Sequence, residues 1–412
     1  MRKLQYLTLS LLAAFLMSAQ AQTIQLNFLA WYGEDQAKVF NQALAEYQKL
    51  NPNVKINISY VAGTGAATYP NVLRTSIAGG RAPDMFTMWG GSIAGPFIDS
   101  QSAIDTAPYF KKYGWDKLLI PAAVNIIKRN GTTWGVPIDL RAMTLYYRKD
   151  IFAKNGLKVP TTFAQLEEVC AKLKTQNIPC VSTAGTYGWH AMRMFQFFLE
   201  HTAGPTLHDQ LLQGKASWDR PEVVAAFALF KKWTDNGWFP NGFMGISPDQ
   251  AQQLFLQGKA AMILEGDWFV TNVAGAGLNG DTVGFFPTPT DQKPLRLSGF
   301  GEQFMISKQS KNPDAVAEFI NWWVQPATQK KYYAVNGSTA TKGGVPSENA
   351  NPLAVQYADM VANSNTFTVL DQAFPPEFMS TTYFRLQSEV ASGKTSPADA
   401  AKQMQAGLAQ VK

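Results

Sequence analysis

The chain has 412 residues, of which 46% are apolar and 16% charged, with a formal net charge of +6. This length and balance exclude bulk disorder and provide for two or three domains with substantial cores, while so mild a charge does not point to nucleic acid. Two cysteines exclude a disulfide scaffold and a four-thiolate zinc site; the unusual quantity is aromatic, with 11 Trp, 14 Tyr and 26 Phe.

Arg2 and Lys3 precede an apolar run from Leu7 to Met17, and Ala19-Gln20-Ala21 supplies small residues before Gln22. This is the layout of a secretory signal peptide over 1–21, with a mature chain starting at Gln22. The run is only about half of the ~20 residues a membrane-spanning helix needs. No Cys follows it, so no lipid anchor is expected. The expected location is periplasmic or otherwise extracytoplasmic.

A strand is predicted over 24–30, with Ile24, Leu26 and Phe28 on one face, and a helix over 36–50, with Val39, Phe40, Ala43, Leu44 and Tyr47 inward. Asn51-Pro52-Asn53 stops that helix. A second strand follows over 54–61, then a turn at Gly63-Thr64-Gly65, a helix over 69–78 and a strand over 85–88. Strand, helix, strand, helix, strand at this spacing predicts an α/β layer with parallel strands. Later helices are predicted over 162–174, 221–233, 248–257 and 313–324, with Asp219 and Asn312 as helix starts. Later strands are predicted over 262–264, 283–286 and 303–307, and the chain from 353 reads as mostly helical. No repeat and no low-complexity linker separates two independent domains, which is compatible with two interleaved ones. Tyr47, Tyr60 and Trp323 read as core. Cys170 and Cys180, ten apart, meet an oxidising compartment after export, where a local disulfide and two buried free thiols are both open readings.

The three histidines, His190, His201 and His208, form no short metal cluster. A nucleophile elbow and a P-loop are also missing from the sequence, and no GxGxxG follows a predicted strand. Glu265 and Asp267 would share a face in a strand and could form the carboxylate pair of an exported glycoside-active enzyme. Such acids also bind sugar hydroxyls without chemistry. What the sequence does contain is aromatics beside turn glycines: Trp31-Tyr32-Gly33, Trp89-Gly90-Gly91, Tyr187-Gly188-Trp189 and Gly266-Asp267-Trp268. Ligands of α/β proteins bind at the C-terminal ends of strands. An indole can cover the C–H face of a sugar ring while carboxylates, Arg and amides take the hydroxyls. These sites together favour a carbohydrate ligand.

Several segments, in order, resemble the extracellular solute-binding proteins of bacterial ABC sugar importers, the group of maltose- and glucose-binding proteins. They are Gly80-Arg81-Ala82-Pro83-Asp84, Asn130-Gly131-Thr132-Thr133-Trp134-Gly135, Leu145-Tyr146-Tyr147-Arg148-Lys149-Asp150, Val159-Pro160-Thr161-Thr162-Phe163, Phe255-Leu256-Gln257-Gly258-Lys259-Ala260-Ala261-Met262 with Gly266-Asp267-Trp268 after it, and Ser310-Lys311-Asn312-Pro313-Asp314-Ala315. Arg148 stands where the family usually has Asn, and Phe163 where it has Trp.

The resemblance implies an α/β, periplasmic-binding-protein-like fold of two lobes joined by crossover segments, with the ligand cleft between them. Lobe one would comprise 22–142 and 297–343, and lobe two 147–294 and 350–412. Hinge segments would lie near 140–147, 295–304 and 343–352. The expected ligand-binding residues are Trp31, Tyr32, Glu34, Trp89, Asp139, Arg141, Trp189, His190, Asp267, Trp268, Phe300, Glu302 and Arg385. Trp189 and His190 are expected on a loop of lobe two. Ala373-Phe374-Pro375-Pro376-Glu377 resembles the glucose-binding subgroup and favours glucose or a small related sugar. A di- or oligosaccharide is the close rival. A polyol phosphate or polyamine, an exported enzyme and a structural envelope protein are the others. The resemblance implies no enzyme activity, no cofactor and no metal. Its expected partners are a small neutral sugar and a membrane permease with its cytoplasmic ATPase, and it implies a monomer that binds no nucleic acid.

Overall fold

The computed structural model describes residues 23–61, 68–129, 131–335, 337–346 and 351–411. The signal-peptide segment and the turn at Gly63-Thr64-Gly65 lie outside the described residues. In chain order the strands are β1 (Ile24–Ala30), β2 (Val54–Tyr60), β3 (Met85–Trp89), β4 (Lys128–Arg129), β5 (Thr132–Thr133), β6 (Val136–Pro137), β7 (Arg141–Arg148), β8 (Val181–Ser182), β9 (Met262–Gly266), β10 (Val283–Phe286), β11 (Arg296–Phe300), β12 (Glu302–Ile306) and β13 (Asn365–Thr368).

The first lobe is built on the sheet β2-β1-β3-β12-β6. β1 pairs in parallel with β2 and β3, as the alternation of strand and helix predicts, while β12 returns antiparallel. Leu26, Phe28 and Ala30 are buried, and the helix Glu34–Leu50 lays Phe40, Ala43, Leu44 and Tyr47 into the same core. Tyr47 and Trp323 are core residues as expected, whereas Tyr60 is half-buried and its hydroxyl donates to Asn41.

The second lobe is built on β13-β11-β7-β9-β8, with β10 also on β7. β7 is its central strand and is buried along nearly its whole length. Such a strand has no alternation to betray it. The long helix Trp189–Leu212 packs across this sheet. It also escapes a periodicity reading, because Leu, Met and Phe surround it and Gly204, with φ 71° and ψ 167°, breaks its helical path ahead of Pro205. Trp189 and His190 therefore open a helix rather than lying on a loop. Asn312 does precede the helix Pro313–Trp323, but its side chain makes no cap, and Arg220 rather than Asp219 precedes the helix Pro221–Asp235. Cys170 and Cys180 are both fully buried and joined by a disulfide, with their Cα atoms 4.9 Å apart.

The chain passes between lobes at three places. Ile138 still hydrogen-bonds to Glu302 of the first sheet, while Arg141 already pairs with Phe300 of the second. β11 runs to Phe300 in the second sheet and β12 starts at Glu302 in the first, so that crossing turns at Gly301, beyond 297. The third crossing lies between Thr341, which bridges Leu119 of the first lobe, and Tyr357, which packs on Tyr146 of the second.

Candidate functional site

The lobes meet over a buried ionic cluster placed by the first two crossings. Asp139, Arg141, Asp267 and Glu302 are each no more than 5% exposed. Arg141 donates from Nε to Asp139 Oδ2 at 2.9 Å and from Nη1 to Asp267 Oδ2 at 2.7 Å. Its Nε also stands 3.5 Å from Glu302 Oε1. Asp139 Oδ1 accepts the backbone N–H of Glu302 at 2.7 Å. One guanidinium thus holds a carboxylate of the hinge, one of the first sheet and one from the end of β9 in the second lobe.

Three carboxylates around one cation cannot all shed their protons cheaply out of water. Burial pushes the Asp267 carboxyl up to about 7 against the pull of Arg141. Burial, then the neighbouring Asp139, raises Glu302, and burial raises Asp139 despite Arg141. Burial disfavours the charge of Arg141, but the carboxylates more than offset it and keep the guanidinium charged. Asp267 Oδ1 and Glu302 Oε2 are buried without a hydrogen-bond partner.

Aromatic rings border this cluster on both lobes. Trp31 and Trp89 lie with ring centres 4.8 Å apart at the ends of β1 and β3. Trp31 Nε1 is buried without a hydrogen bond, yet close enough to Glu302 to favour that residue's charged form. Trp89 packs on the cores of both lobes. On the other side, the Arg141 guanidinium lies 5.9 Å from the centre of the Trp268 ring. Trp268 in turn meets Trp189 at 6.4 Å and Phe300 at 5.7 Å. Gly266 lets the Trp268 ring fold back over the strand end, because a Cβ there would run into the indole. Tyr32 differs from its neighbour: it is 2% exposed, packed on Phe40 and Tyr60, with only its unpartnered hydroxyl near Glu302 and Asp139.

A second polar group lies deeper in the second lobe. Glu265 is fully buried; Gln252 donates to its Oε1 at 2.8 Å, and its Oε2 has no hydrogen-bond partner. Burial pushes its carboxyl up to about 8. His190 stacks on Trp189 and contacts the Leu264 carbonyl through Nε2 at 3.1 Å, and burial holds it down to about 4, so the ring is neutral. Arg193, one turn along the same helix, has Nε and Nη1 buried without partners.

The structure therefore brings together Trp31, Trp89, Asp139, Arg141, Trp189, His190, Asp267, Trp268, Phe300 and Glu302, with the Tyr32 hydroxyl at the margin. It does not bring in Glu34, whose side chain is 85% exposed and paired with Lys38, or Arg385, which pairs with Glu389 and Gln403 on the outer helices of the second lobe. Arg193, Asp371 and Gln372 escaped the sequence reading. The only available signal was a lone Arg between Met192 and Met194 in an apolar run.

The lobes also touch beside the second crossing, where the Gly90 N–H donates to the Gly301 carbonyl at 2.9 Å. Ser92 Oγ donates to the Phe374 carbonyl at 2.5 Å and reaches the Asp371 carbonyl at 3.3 Å. Gly91, at φ 68°, lies so near the Gln372 carbonyl that a Cβ would collide with it. These contacts therefore flank the second crossing on the cleft-forming strand ends β3 and β13.

Residues 30–330 match the family model of the bacterial extracellular solute-binding proteins. An uncharacterised ABC transporter extracellular-binding protein of Pyrococcus horikoshii is 22% identical over 344 residues, covering 82% of this chain and 76% of that protein. The glucose-binding protein GlcS of Saccharolobus solfataricus is 22% identical over 346 residues, 73% of this chain and 62% of that protein. A maltotriose-binding protein of Pyrococcus abyssi is 24% identical over 298 residues, 70% of this chain and 60% of that protein. Among solved structures, one described under xylan utilization by Caldanaerobius polysaccharolyticus superposes with a TM-score of 0.82 at 26% identity, covering 93% of this chain and 99% of that one. With a family match across most of its length and two α/β lobes joined by crossing strands, the chain belongs to the bacterial extracellular solute-binding proteins, a family of substrate-binding proteins rather than enzymes.

Proposed function

We propose that this protein captures glucose or a small related neutral sugar between its lobes and delivers it to an ABC importer. The observation that carries the reading is the joining of indoles from both lobes to one buried cluster of carboxylates and guanidinium. Trp31 and Trp89 from the first lobe and Trp189 and Trp268 from the second offer flat apolar faces to sugar C–H surfaces. Asp267 Oδ1 and Glu302 Oε2 retain lone pairs for hydroxyl donors. A ligand touching both lobes favours the closed state by its differential contacts. The binding protein then acts with a membrane permease and, through it, a cytoplasmic ATPase, as a monomer exported by a cleaved leader without a lipid anchor.

An oligosaccharide is the second reading, favoured by the maltotriose-binding relative. The test is a thermal-shift and calorimetric panel on residues 22–412 with glucose, galactose, mannose, xylose, maltose, trehalose, cellobiose, glycerol phosphate and spermidine. A ligand that binds only the folded state raises the melting temperature. A saturable shift with a monosaccharide supports the first reading and one confined to disaccharides the second. A response to glycerol phosphate or spermidine alone overturns both.

A further inference from the structure

We infer that Arg193 is a ligand-reading residue of the second lobe, donating from Nε and Nη1 to oxygens of the bound sugar. The inference rests on the sugar-binding reading above and adds a donor to a site otherwise rich in acceptors. Arg193 is 5% exposed, in the helix Trp189–Leu212. Its one ionic partner among the described residues is Asp371, with Nη2 3.4 Å from Oδ1 and 3.5 Å from Oδ2, a loose contact for a buried pair. Its guanidinium carbon lies 5.2 Å from the centre of the Phe300 ring, the last residue of β11 before the crossing at Gly301. Nε and Nη1 have no hydrogen-bond acceptor among the described residues.

A buried guanidinium with two donor groups unpaired is costly, and a hydrophobic residue of similar size would be tolerated at least as well for stability. Compare Arg296 in the same lobe, which has no ligand role in this reading. It spends Nε and Nη2 on Glu200, Nη1 on Asp209 and Nη2 again on the Pro205 carbonyl. Arg193 differs in where it lies. Burial lowers its pKa, and the charges that counter this are Asp371 and Glu265, both among the cleft residues. Phe300 supports the flat face of the guanidinium. Asp371 holds one end, and the carbonyl of Asp371 is itself reached by Ser92 of the first lobe. This interlobe contact and the aim of Arg193 therefore share one short helix, Leu370–Ala373. Asp371 is a positioning residue, acting through Arg193.

The test compares wild type with Arg193→Met, Arg193→Lys and Asp371→Asn, using whichever sugar of the panel gives the largest saturable response. We expect Arg193→Met to weaken binding at least tenfold while the ligand-free melting temperature holds or rises. Asp371→Asn should weaken binding less. Arg193→Lys, which keeps the charge but not the directed donors, should fall between wild type and Arg193→Met. A ligand-free melting temperature lowered by several degrees in both Arg193 variants, with affinity within twofold of wild type, overturns the inference and assigns Arg193 to packing alone. If Arg193→Met does not fold, Arg193→Lys with wild-type affinity overturns it equally. Silence of the wild type towards every sugar overturns the sugar-binding reading and this one with it, whereas a wild-type response kept by every variant overturns this one alone.

Discussion

Arg141 Nη1 lies 2.7 Å from Asp267 Oδ2, an ion pair that joins the first crossing to the strand-end segment of the second lobe. Because Arg141 also holds Asp139 and faces Glu302, this contact ties hinge, first sheet and second lobe through one side chain. Asp267→Ala would leave Arg141 short of a partner and Asp267→Asn keeps the shape with less charge. Both are expected to weaken sugar binding, the Ala variant by about tenfold or more, since removing one member of a buried charged pair costs several kcal/mol. Calorimetric titration of each variant with the responding sugar checks this.

The same cluster sets a pH dependence. Asp267 and Glu265 titrate in the folded state near about 7 and about 8, and Glu302 is also raised, all because burial disfavours their charge. Their unfolded values lie near 4. The folded chain therefore keeps protons that the unfolded chain has shed, so stability falls as pH rises. His190, held down to about 4 when folded, works in the opposite direction but is already neutral in both states above about pH 6.5. The melting temperature of the ligand-free protein should fall between about pH 6.5 and 8, and Asp267→Asn with Glu265→Gln should flatten that slope. A flat wild-type profile would contradict the assignment.

Trp31 and Trp189 are half-buried rings at the edges of the cores, next to the ionic cluster. Trp31→Ala and Trp189→Ala should each weaken sugar binding by about tenfold to a hundredfold, the range of a large aromatic anchor. Their ligand-free melting temperatures should fall less than that of Trp233→Ala, a fully buried core indole. Affinity and melting temperature measured on the three variants separate the roles.

Gly91 is doubly constrained, by a positive φ and by the Gln372 carbonyl of the other lobe, beside the second crossing. Gly91→Ala should obstruct full closure and weaken sugar binding by roughly tenfold, because the ligand then engages a strained or partly open form. Small-angle scattering with and without sugar should show a smaller compaction than in wild type.

The disulfide closes a short loop between the helix Phe163–Thr175 and β8. Replacing both Cys170 and Cys180 by Ala should lower stability by about 2–3 kcal/mol. Binding should be unchanged, because both cysteines lie in the second-lobe core and neither is among the cleft residues named above. Denaturant unfolding and calorimetry on the double variant read the two effects.

The sequence alone determined the local pieces whose chemistry is local. Leu26, Phe28 and Ala30 alternate on a half-exposed strand, and Phe40, Ala43, Leu44 and Tyr47 recur at helical spacing, so β1 and the helix after it were legible at once. The order of family-like segments carried the two-lobed fold, and the aromatic-glycine pairs pointed to strand ends. Tertiary structure decided the rest. β7 is buried on both faces and the helix Trp189–Leu212 on nearly all sides, so neither had the one-sided pattern that betrays an element. Tyr32 and Trp31 are adjacent in sequence, yet one is sealed in the core and the other borders the cleft, because successive residues at a strand end face opposite ways. Glu34 and Arg385 had the right chemistry but found ion-pair partners on their own helices. Arg193 acquired its meaning only when Asp371 and Phe300, 178 and 107 positions away, were folded against it. A side chain's type is written in the chain, but whether its polar atoms are already satisfied depends on neighbours that only the packed lobes supply.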